Sequence, residues 1–345
     1  MRIAIATVQV PFIRGGAENL AEGLINALRE HGHEAELITT PFRFGPTDQV
    51  LRTMDVWTTE DFSKLDIGYI DKVICLKFPT YYLQHPNKIV WLLHQHRSVY
   101  ELFGTAFGVS ATDESCLKLR ENILTRDTEA IRHIPNVYTI AGRVSERLLK
   151  YNGLKSIPLY HPPMYAERFY CAEQQPYIFF PSRLEKLKRQ ELLIKALALV
   201  KAPVIVIIAG DGGEYHNLQA VIETLGLESR VKLIGRISEE EMLCWYANAM
   251  GVFFGPYDED YGYITLEAML SAKPVITCTD SGGPMEFVIN NETGYIVEPN
   301  EQAVAEAIDR LYFNRNQAAE MGRNGLARYR SLDISWDKVV STLLK

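Results

Sequence analysis

Short apolar runs recur along this chain, and each breaks off into glycine, proline or charged residues before a helix-like stretch begins. Arg2–Val10, Lys72–Leu76 (within Ile67 to Phe78), Lys88–Leu93 and Asn136–Ile140 occupy the first half. Pro176–Phe180, Pro203–Ile208, Val231–Ile234, Gly251–Gly255, Lys273–Ile276 and Gly294–Val297 occupy the second. Continuous runs rich in Val and Ile suit strands covered on both faces, so the pattern predicts parallel sheets with helical crossovers. A chain of 345 residues has room for two such domains of about 150 to 180 residues each.

Charge narrows the function. The net charge of −7 argues against bulk nucleic-acid binding. It is also uneven: residues 1–163 carry 18 basic and 18 acidic residues, and residues 164–345 carry 18 and 25. An anionic substrate must therefore meet a local basic site and not a favourable overall field. No apolar run reaches the roughly 18 residues of a membrane span. The start, MRIAIATVQVPFIRGG, reads as a first strand and not as a signal peptide. The 5 cysteines are scattered with no C-x-x-C pair, which predicts neither disulfides nor zinc and a cytoplasmic location.

The chemistry concentrates where apolar runs end. Gly251–Gly255 leads through Pro256 and the acidic turn Asp258-Glu259-Asp260 to Gly262, which opens a helix with Ile264, Leu266, Ala268, Met269 and Leu270 on its apolar face. A strand, a loop and a helix N-terminus in that order present unpaired N–H groups and a positive dipole end suited to phosphate. Glu259 and Glu267 bracket this junction. Eight helical steps would separate them by roughly 12 Å. Carboxylates that flank one anomeric carbon lie about 5 to 9.5 Å apart. The pair therefore suits the two ends of a long ligand, with phosphate between, such as a nucleotide sugar. An acidic loop followed by a dipole-compensating glutamate is the plainer alternative.

Other strand ends carry candidates. Gly15-Gly16 sits at the first βα turn, where a backbone can approach phosphate or sugar, though a tight turn without a ligand has the same sequence. The order is not G-x-G-x-x-G, which disfavours a nicotinamide cofactor. His94 and His96 follow the strand at Lys88–Leu93. Their spacing allows a two-histidine metal site, but no third ligand accompanies them. The helix over residues 113–133 reads as a solvated face or one wall of an acceptor site. Pro181–Arg189 holds Arg183, Lys186, Lys188 and Arg189, the densest basic cluster at a strand end in the acidic half. Gly210-Asp211-Gly212 and Gly235-Arg236-Ile237 end the next two strands, and Ser238 with Glu241 forms a capping box.

Taken together, these residues resemble the retaining GT-B glycosyltransferases of family 4. Glu259 to Glu267 matches their E-x7-E signature, Arg183 and Lys188 their R-x4-K pair, and Gly15-Gly16-Ala17-Glu18 their glycine loop. The resemblance implies a GT-B α/β fold, two Rossmann-like doubly wound domains facing across a cleft. Residues 1–163 would form the acceptor-side domain and residues 164–330 the nucleotide-sugar domain. A linker would lie around residues 160–175, and residues 331–345 would form a terminal helix crossing back to the first domain. It further implies that Arg183 and Lys188 neutralise a departing diphosphate in place of a metal ion. Glu259 and His94 (with His96 as fallback) would face the sugar and Glu267 the ribose. The amides of Gly262, Tyr263, Ile264 and Thr265 would receive phosphate, while Gly15, Gly16, Gly210, Arg236 and Ile237 complete the donor site. The Asp258-Glu259-Asp260 turn also satisfies the D-x-D metal motif of the GT-A class, but its place before a helix and inside E-x7-E disfavours that reading. No cofactor and no metal are expected. The expected reaction moves a hexose from a nucleotide diphosphate, UDP-glucose first, to a glycan or lipid-linked acceptor in polysaccharide synthesis. That acceptor class brings peripheral contact with the inner face of the membrane. A nucleotide-sugar epimerase of the same architecture, a GDP-mannose-dependent mannosyltransferase and a non-catalytic nucleotide-binding module are the alternatives.

Overall fold

A computed structural model of the protein describes residues 1–63 and 68–345; Ile67, the start of one predicted apolar stretch, lies outside the described residues. The chain divides into two compact units, Met1–Met164 with Ser335–Lys345, and Tyr165–Ile334. The sequence expectation drew these borders at 163/164 and 330/331.

The first unit contains β1 (Arg2–Gln9), α1 (Gly16–Glu30), β2 (Glu34–Pro41), α2 (Thr47–Thr59), β3 (Lys72–Cys75), β4 (Lys88–Leu92), α3 (Glu114–Arg132), β5 (Val137–Thr139), α4 (Gly142–Asn152) and β6 (Ile157–Pro158). Its sheet is parallel, in the order β2-β1-β3-β4-β5-β6. The second unit contains β7 (Tyr177–Pro181), α5 (Gln190–Leu197), β8 (Ile205–Ala209), α6 (Tyr215–Thr224), β9 (Val231–Leu233), α7 (Glu239–Asn248), β10 (Gly251–Phe253), α8 (Tyr263–Leu270), β11 (Val275–Cys278), α9 (Pro284–Phe287), β12 (Gly294–Val297), α10 (Glu301–Phe313) and α11 (Arg315–Ser331). Its sheet is also parallel, in the order β12-β11-β10-β7-β8-β9. Helix α12 (Trp336–Leu343) closes the chain and belongs to the first unit.

Most of the apolar runs became inner strands of the two sheets, whereas Val231–Ile234 and Gly294–Val297 supply the outermost strands β9 and β12 of the second. Ile178, Phe179 and Phe180 on β7 and Val252 and Phe253 on β10 are wholly buried. Helix α4 starts at Gly142, directly after Ala141, which is still extended at the N-cap. Helix α1 starts at Gly16, with the Gly15 amide donating to the Glu18 carboxylate at 2.8 Å. The short edge strand β6 had no apolar signature to reveal it.

Each strand order reverses direction once. In the first sheet the chain runs outward from β1 to β2 on one side and to β3 on the other; in the second it runs from β7 to β8 and, later, to β10. A crevice opens outside the carboxyl ends of the strands at such a point, and ligands of open α/β sheets bind there. Gly15 and Gly16 follow β1, and the loops holding Lys188 and Glu259 follow β7 and β10.

Trp336 anchors the last helix. Its ring lies edge-on to buried Trp91, with centroids 6.4 Å apart, and tilted on buried His161 at 5.8 Å. It also lies over Gly23 of α1, where an added Cβ would come within 2.4 Å of the indole. The His31 imidazole pairs with Asp337 at 3.2 Å.

One buried carboxyl makes the stability of the first unit depend on pH. Asp127 of α3 is fully buried and accepts hydrogen bonds from the Tyr82 hydroxyl and, at 2.7 Å, from that of Tyr100. Burial pushes its pKa up to about 6, against the opposing pull of the tyrosine hydroxyls and of Arg126. Because the folded value is raised, Asp127 favours the fold fully below its unfolded value, and that contribution is lost as pH rises through about 6. Thermal unfolding followed from pH 4 to 7 should show this decline, and Asp127→Asn should flatten it by about 2 kcal/mol. An unchanged slope in the variant would place the effect elsewhere.

Candidate functional site

The two loops that flank the β7/β10 crevice hold an ion pair. Leaving β7, the chain passes through Arg183 and Glu185 into a single helical turn, Lys186–Lys188, and then Arg189 enters α5 in the left-handed conformation, φ 59. Leaving β10, it passes through Asp258 to Gly262, which takes φ 93 and caps α8. Lys188 Nζ donates to Glu259 Oε2 at 2.6 Å, and the two side chains are only 15 and 19% exposed. The ammonium also lies 5.6 Å from the Phe254 ring centroid.

Backbone contacts fix this pair. The Tyr257 amide donates to the Leu187 carbonyl at 2.8 Å. The Asp258 and Glu259 amides donate to the carbonyls of Asp280 and Ser281, each at 2.9 Å, and the Gly283 amide donates to the Glu259 carbonyl at 2.9 Å. This approach requires glycine at 282: its φ is 71, and a Cβ there would lie 2.5 Å from the Glu259 carbonyl oxygen. A side-chain clamp spans the same loops. Both Arg189 terminal nitrogens donate to the Asp280 carboxylate at 2.7 Å, a bidentate geometry. The same guanidinium sits 5.2 Å from the Tyr257 ring centroid.

Glu267, one face of α8 further on, has a different environment. Its Oε2 accepts from the buried Tyr246 hydroxyl at 2.5 Å. Burial pushes its pKa up to about 7, opposed by that hydrogen bond. The two signature glutamates thus differ in their partners: Glu259 faces a lysine, while Glu267 faces a tyrosine and titrates near neutrality. Between them lies the start of α8, with Thr265 fully buried.

Arg183 does not join Lys188. It is about half exposed and pairs with Glu185 at 3.0 Å. The turns at Gly210 and Gly235 do meet, since the Gly210 amide donates to the Gly235 carbonyl at 2.7 Å. Arg236 reaches back across them to Asp211 at 2.6 Å, and Ile237 beside it is half-buried. In the first unit, Lys77 at the end of β3 faces Glu18 across the β1/β3 crevice at 3.9 Å. His94 is half-buried, and its Nδ1 donates to the Gln95 carbonyl at 2.7 Å. His96 is buried. Its ring stacks on Phe78, centroids 5.0 Å apart, and burial together with the neighbouring His94 pushes its pKa down to about 4. His96 therefore packs in an aromatic cluster, whereas His94 keeps a partly open face. Among the described residues, no three His, Cys, Asp or Glu side chains converge as a metal ion would require.

Sequence reasoning missed Arg189, Asp280 and Tyr246. Arg189 was visible only as one more charge in a basic run, and its partner lies 91 residues away.

Residues 167–328 match the family described as "Glycosyl transferases group 1". Among curated relatives, the D-inositol 3-phosphate glycosyltransferase of Arthrobacter sp. (strain FB24) is 25% identical over 177 residues, 49% of this chain and 41% of that protein. The alpha-1,3/1,6-mannosyltransferase ALG2 of Dictyostelium discoideum is 31% identical over 136 residues, 37% of this chain and 32% of that protein. The chain thus spans well under half the length of these relatives. Anabaena HepE, solved in complex with UDP and glucose, superposes with a TM-score of 0.71 at 18% identity, covering 99% of both chains. Two Rossmann-like parallel-sheet domains in this succession are the GT-B glycosyltransferase fold, and the relatives matched are glycosyltransferases.

The clamp yields a direct test. Arg189→Ala and Asp280→Ala should each lower the stability of the second unit by about 1 kcal/mol or more, and the double variant should cost little beyond either alone. Denaturant unfolding of the four proteins measures the coupling; additive losses would mean that the two residues act independently.

Proposed function

We propose that the protein is a retaining, metal-independent family-4 glycosyltransferase that moves a hexose from a nucleotide diphosphate to a hydroxyl of a glycan or lipid-linked acceptor. The observation that carries this reading is the Lys188–Glu259 pair at the β7/β10 crevice, set against the N-terminus of α8. A diphosphate arriving there meets a lysine and the first amides of α8, from Gly262 to Thr265, and replaces Glu259 as the partner of Lys188. Glu259, released, accepts hydrogen bonds from sugar hydroxyls. Arg183 swings from Glu185 to share the diphosphate charge. Stabilising the charge that develops on the leaving group is the main catalytic task, and fixed cations in a partly dry site perform it well. The acceptor oxygen attacks the anomeric carbon on the face from which the diphosphate leaves, and a phosphate oxygen takes the acceptor's proton. His94 is the sugar-facing histidine, Gly15 and Gly16 the close backbone approach of the first unit, and Gly210, Arg236 and Ile237 the base end of the donor site.

UDP-glucose is the favoured donor, supported by HepE, whose structure was solved with UDP and glucose. GDP-mannose is the second reading, supported by the similarity to a mannosyltransferase. Polysaccharide synthesis is the proposed setting, in the cytoplasm. No helix among the described residues is long and apolar enough to cross a membrane.

Calorimetry against UDP and GDP with EDTA present tests the site first. Binding of one nucleotide, weakened by Glu267→Ala and Arg183→Ala, is the expected result; no nucleotide binding would sink the proposal. Turnover should survive EDTA and fall by orders of magnitude in Lys188→Ala with the fold intact. A requirement for Mn²⁺ would revive the Asp258-Glu259-Asp260 metal reading.

The pKa of Glu267 adds a pH dependence. A ribose hydroxyl donates best to the carboxylate form, which dominates only above about 7. Nucleotide affinity should therefore rise between pH 6 and 8, and Glu267→Gln should remove the rise. A rise that persists in the variant would assign it to another group.

A further inference from the structure

We propose that Gln95 and Asn152 are positioning residues for His94, holding its imidazole as the Nδ1–H tautomer so that Nε2 offers a lone pair to a sugar hydroxyl. The Nδ1 atom lies 2.7 Å from the Gln95 carbonyl oxygen. A carbonyl oxygen only accepts, so Nδ1 carries the proton and, in the neutral ring, Nε2 carries the lone pair. Neutral histidine in water favours the opposite tautomer, with the proton on Nε2. The Gln95 carbonyl must therefore be held where it selects the minor form.

That carbonyl belongs to the peptide between Gln95 and His96, and both flanking side chains are buried. On one side, the His96 ring stacks on Phe78, and its Nε2 lies 3.2 Å from the Ser98 hydroxyl. On the other, Gln95 Nε2 donates to Asn152 Oδ1 at 2.6 Å. Asn152 is the last residue of α4, 57 residues further along the chain.

The direction of each bond in this network is forced. The Thr128 hydroxyl uses its one hydrogen on the Leu124 carbonyl, at 2.6 Å, so its oxygen accepts from Asn152 Nδ2 at 2.7 Å. Asn152 must then turn its own oxygen towards Gln95. The Tyr100 hydroxyl donates to Asp127 at 2.7 Å, and its oxygen receives Asn152 Nδ2 at 3.3 Å and a bond from Gln95. Reversing either amide would set acceptor against acceptor. Helices α3 and α4 thus fix the Gln95 side chain, which helps to fix the peptide that His94 meets. A satisfied buried network of this kind holds a single geometry. A lone pair at Nε2 accepts from a hydroxyl and repels a phosphate oxygen. His94 therefore recognises the sugar and not the diphosphate, a role that rests on the proposed function.

Nuclear magnetic resonance tests this on the full chain without substrate, so its failure is separable from failure of the enzymatic reading. With isotope-labelled histidine nitrogens, long-range proton–nitrogen correlations at pH 8 report the tautomer of each ring, and His94→Ala identifies the His94 signals. Wild-type His94 should show a protonated Nδ1 and an unprotonated Nε2. Gln95→Met, which keeps the length of the side chain without its amide, and Asn152→Ala should each shift the ring towards Nε2–H. If Asn152→Ala fails to fold, Thr128→Val, which removes the acceptor for Asn152 Nδ2, takes its place. An Nε2–H ring in the wild type, or an unchanged ring in either variant, would overturn the proposal. Turnover gives a second readout. Gln95→Met should lower kcat about tenfold with little change in KM, and should cost nothing more in a His94→Ala background. Equal losses in the two backgrounds would make Gln95 a purely structural residue and would also overturn it.

Discussion

An ammonium and a carboxylate held 2.6 Å apart at a sheet crevice set the terms for the second unit. Neither is fully buried, so the pair stays exchangeable, yet both are shielded enough that losing one partner without replacement would be costly. That combination suits a site that must be quiet when empty and strongly attractive to an anion. Lys188 on the β7 loop and Glu259 on the β10 loop can meet only because β7 and β10 are neighbours, although 71 residues separate the two side chains in sequence. The glycines at 282 and 283, the clamp between Arg189 and Asp280, and the backbone bonds from residues 257–259 all maintain that meeting.

The first unit repeats the arrangement more weakly. Its crevice between β1 and β3 also places a lysine against a glutamate, Lys77 and Glu18, at the longer distance of 3.9 Å. Glu18 is already engaged with the Gly15 amide, so its charge serves the start of α1 as well as the lysine. The same winding rule generates both sites. Their chemistry differs because one crevice is lined by a capped helix and the other by a helix whose first turn contains no acidic residue.

Much of this was legible in the sequence because parallel strands buried on both faces must be written as apolar runs. Gly251–Gly255 and Pro176–Phe180 announced β10 and β7, and the glycines and charges that followed marked the ligand edge. The capping box at Ser238 was readable because it is local. What stayed hidden was pairing at long range. Nothing in the basic run Lys186–Arg189 said that Lys188 would turn to Glu259 while Arg183 turned to Glu185 and Arg189 to Asp280. The unequal surroundings of Glu259 and Glu267 were equally invisible, since they depend on a lysine and a tyrosine that the fold supplies. His94 and His96 looked alike as neighbours on a strand end; the aromatic cluster of Phe42 and Phe78 separates them.

The anchoring of Trp336 has a consequence for how the chain can be divided. The first unit is written in two pieces, residues 1–164 and 335–345, and the second is inserted between them as residues 165–334. The inserted unit can be cut out as one continuous fragment. Its host cannot: a fragment ending near residue 164 would expose the faces of Trp91, His161 and Gly23 that the indole covers. Removing residues 335–345 would therefore injure the unit at the opposite end of the sequence, and an isolated host would need its final helix rejoined through a short artificial linker.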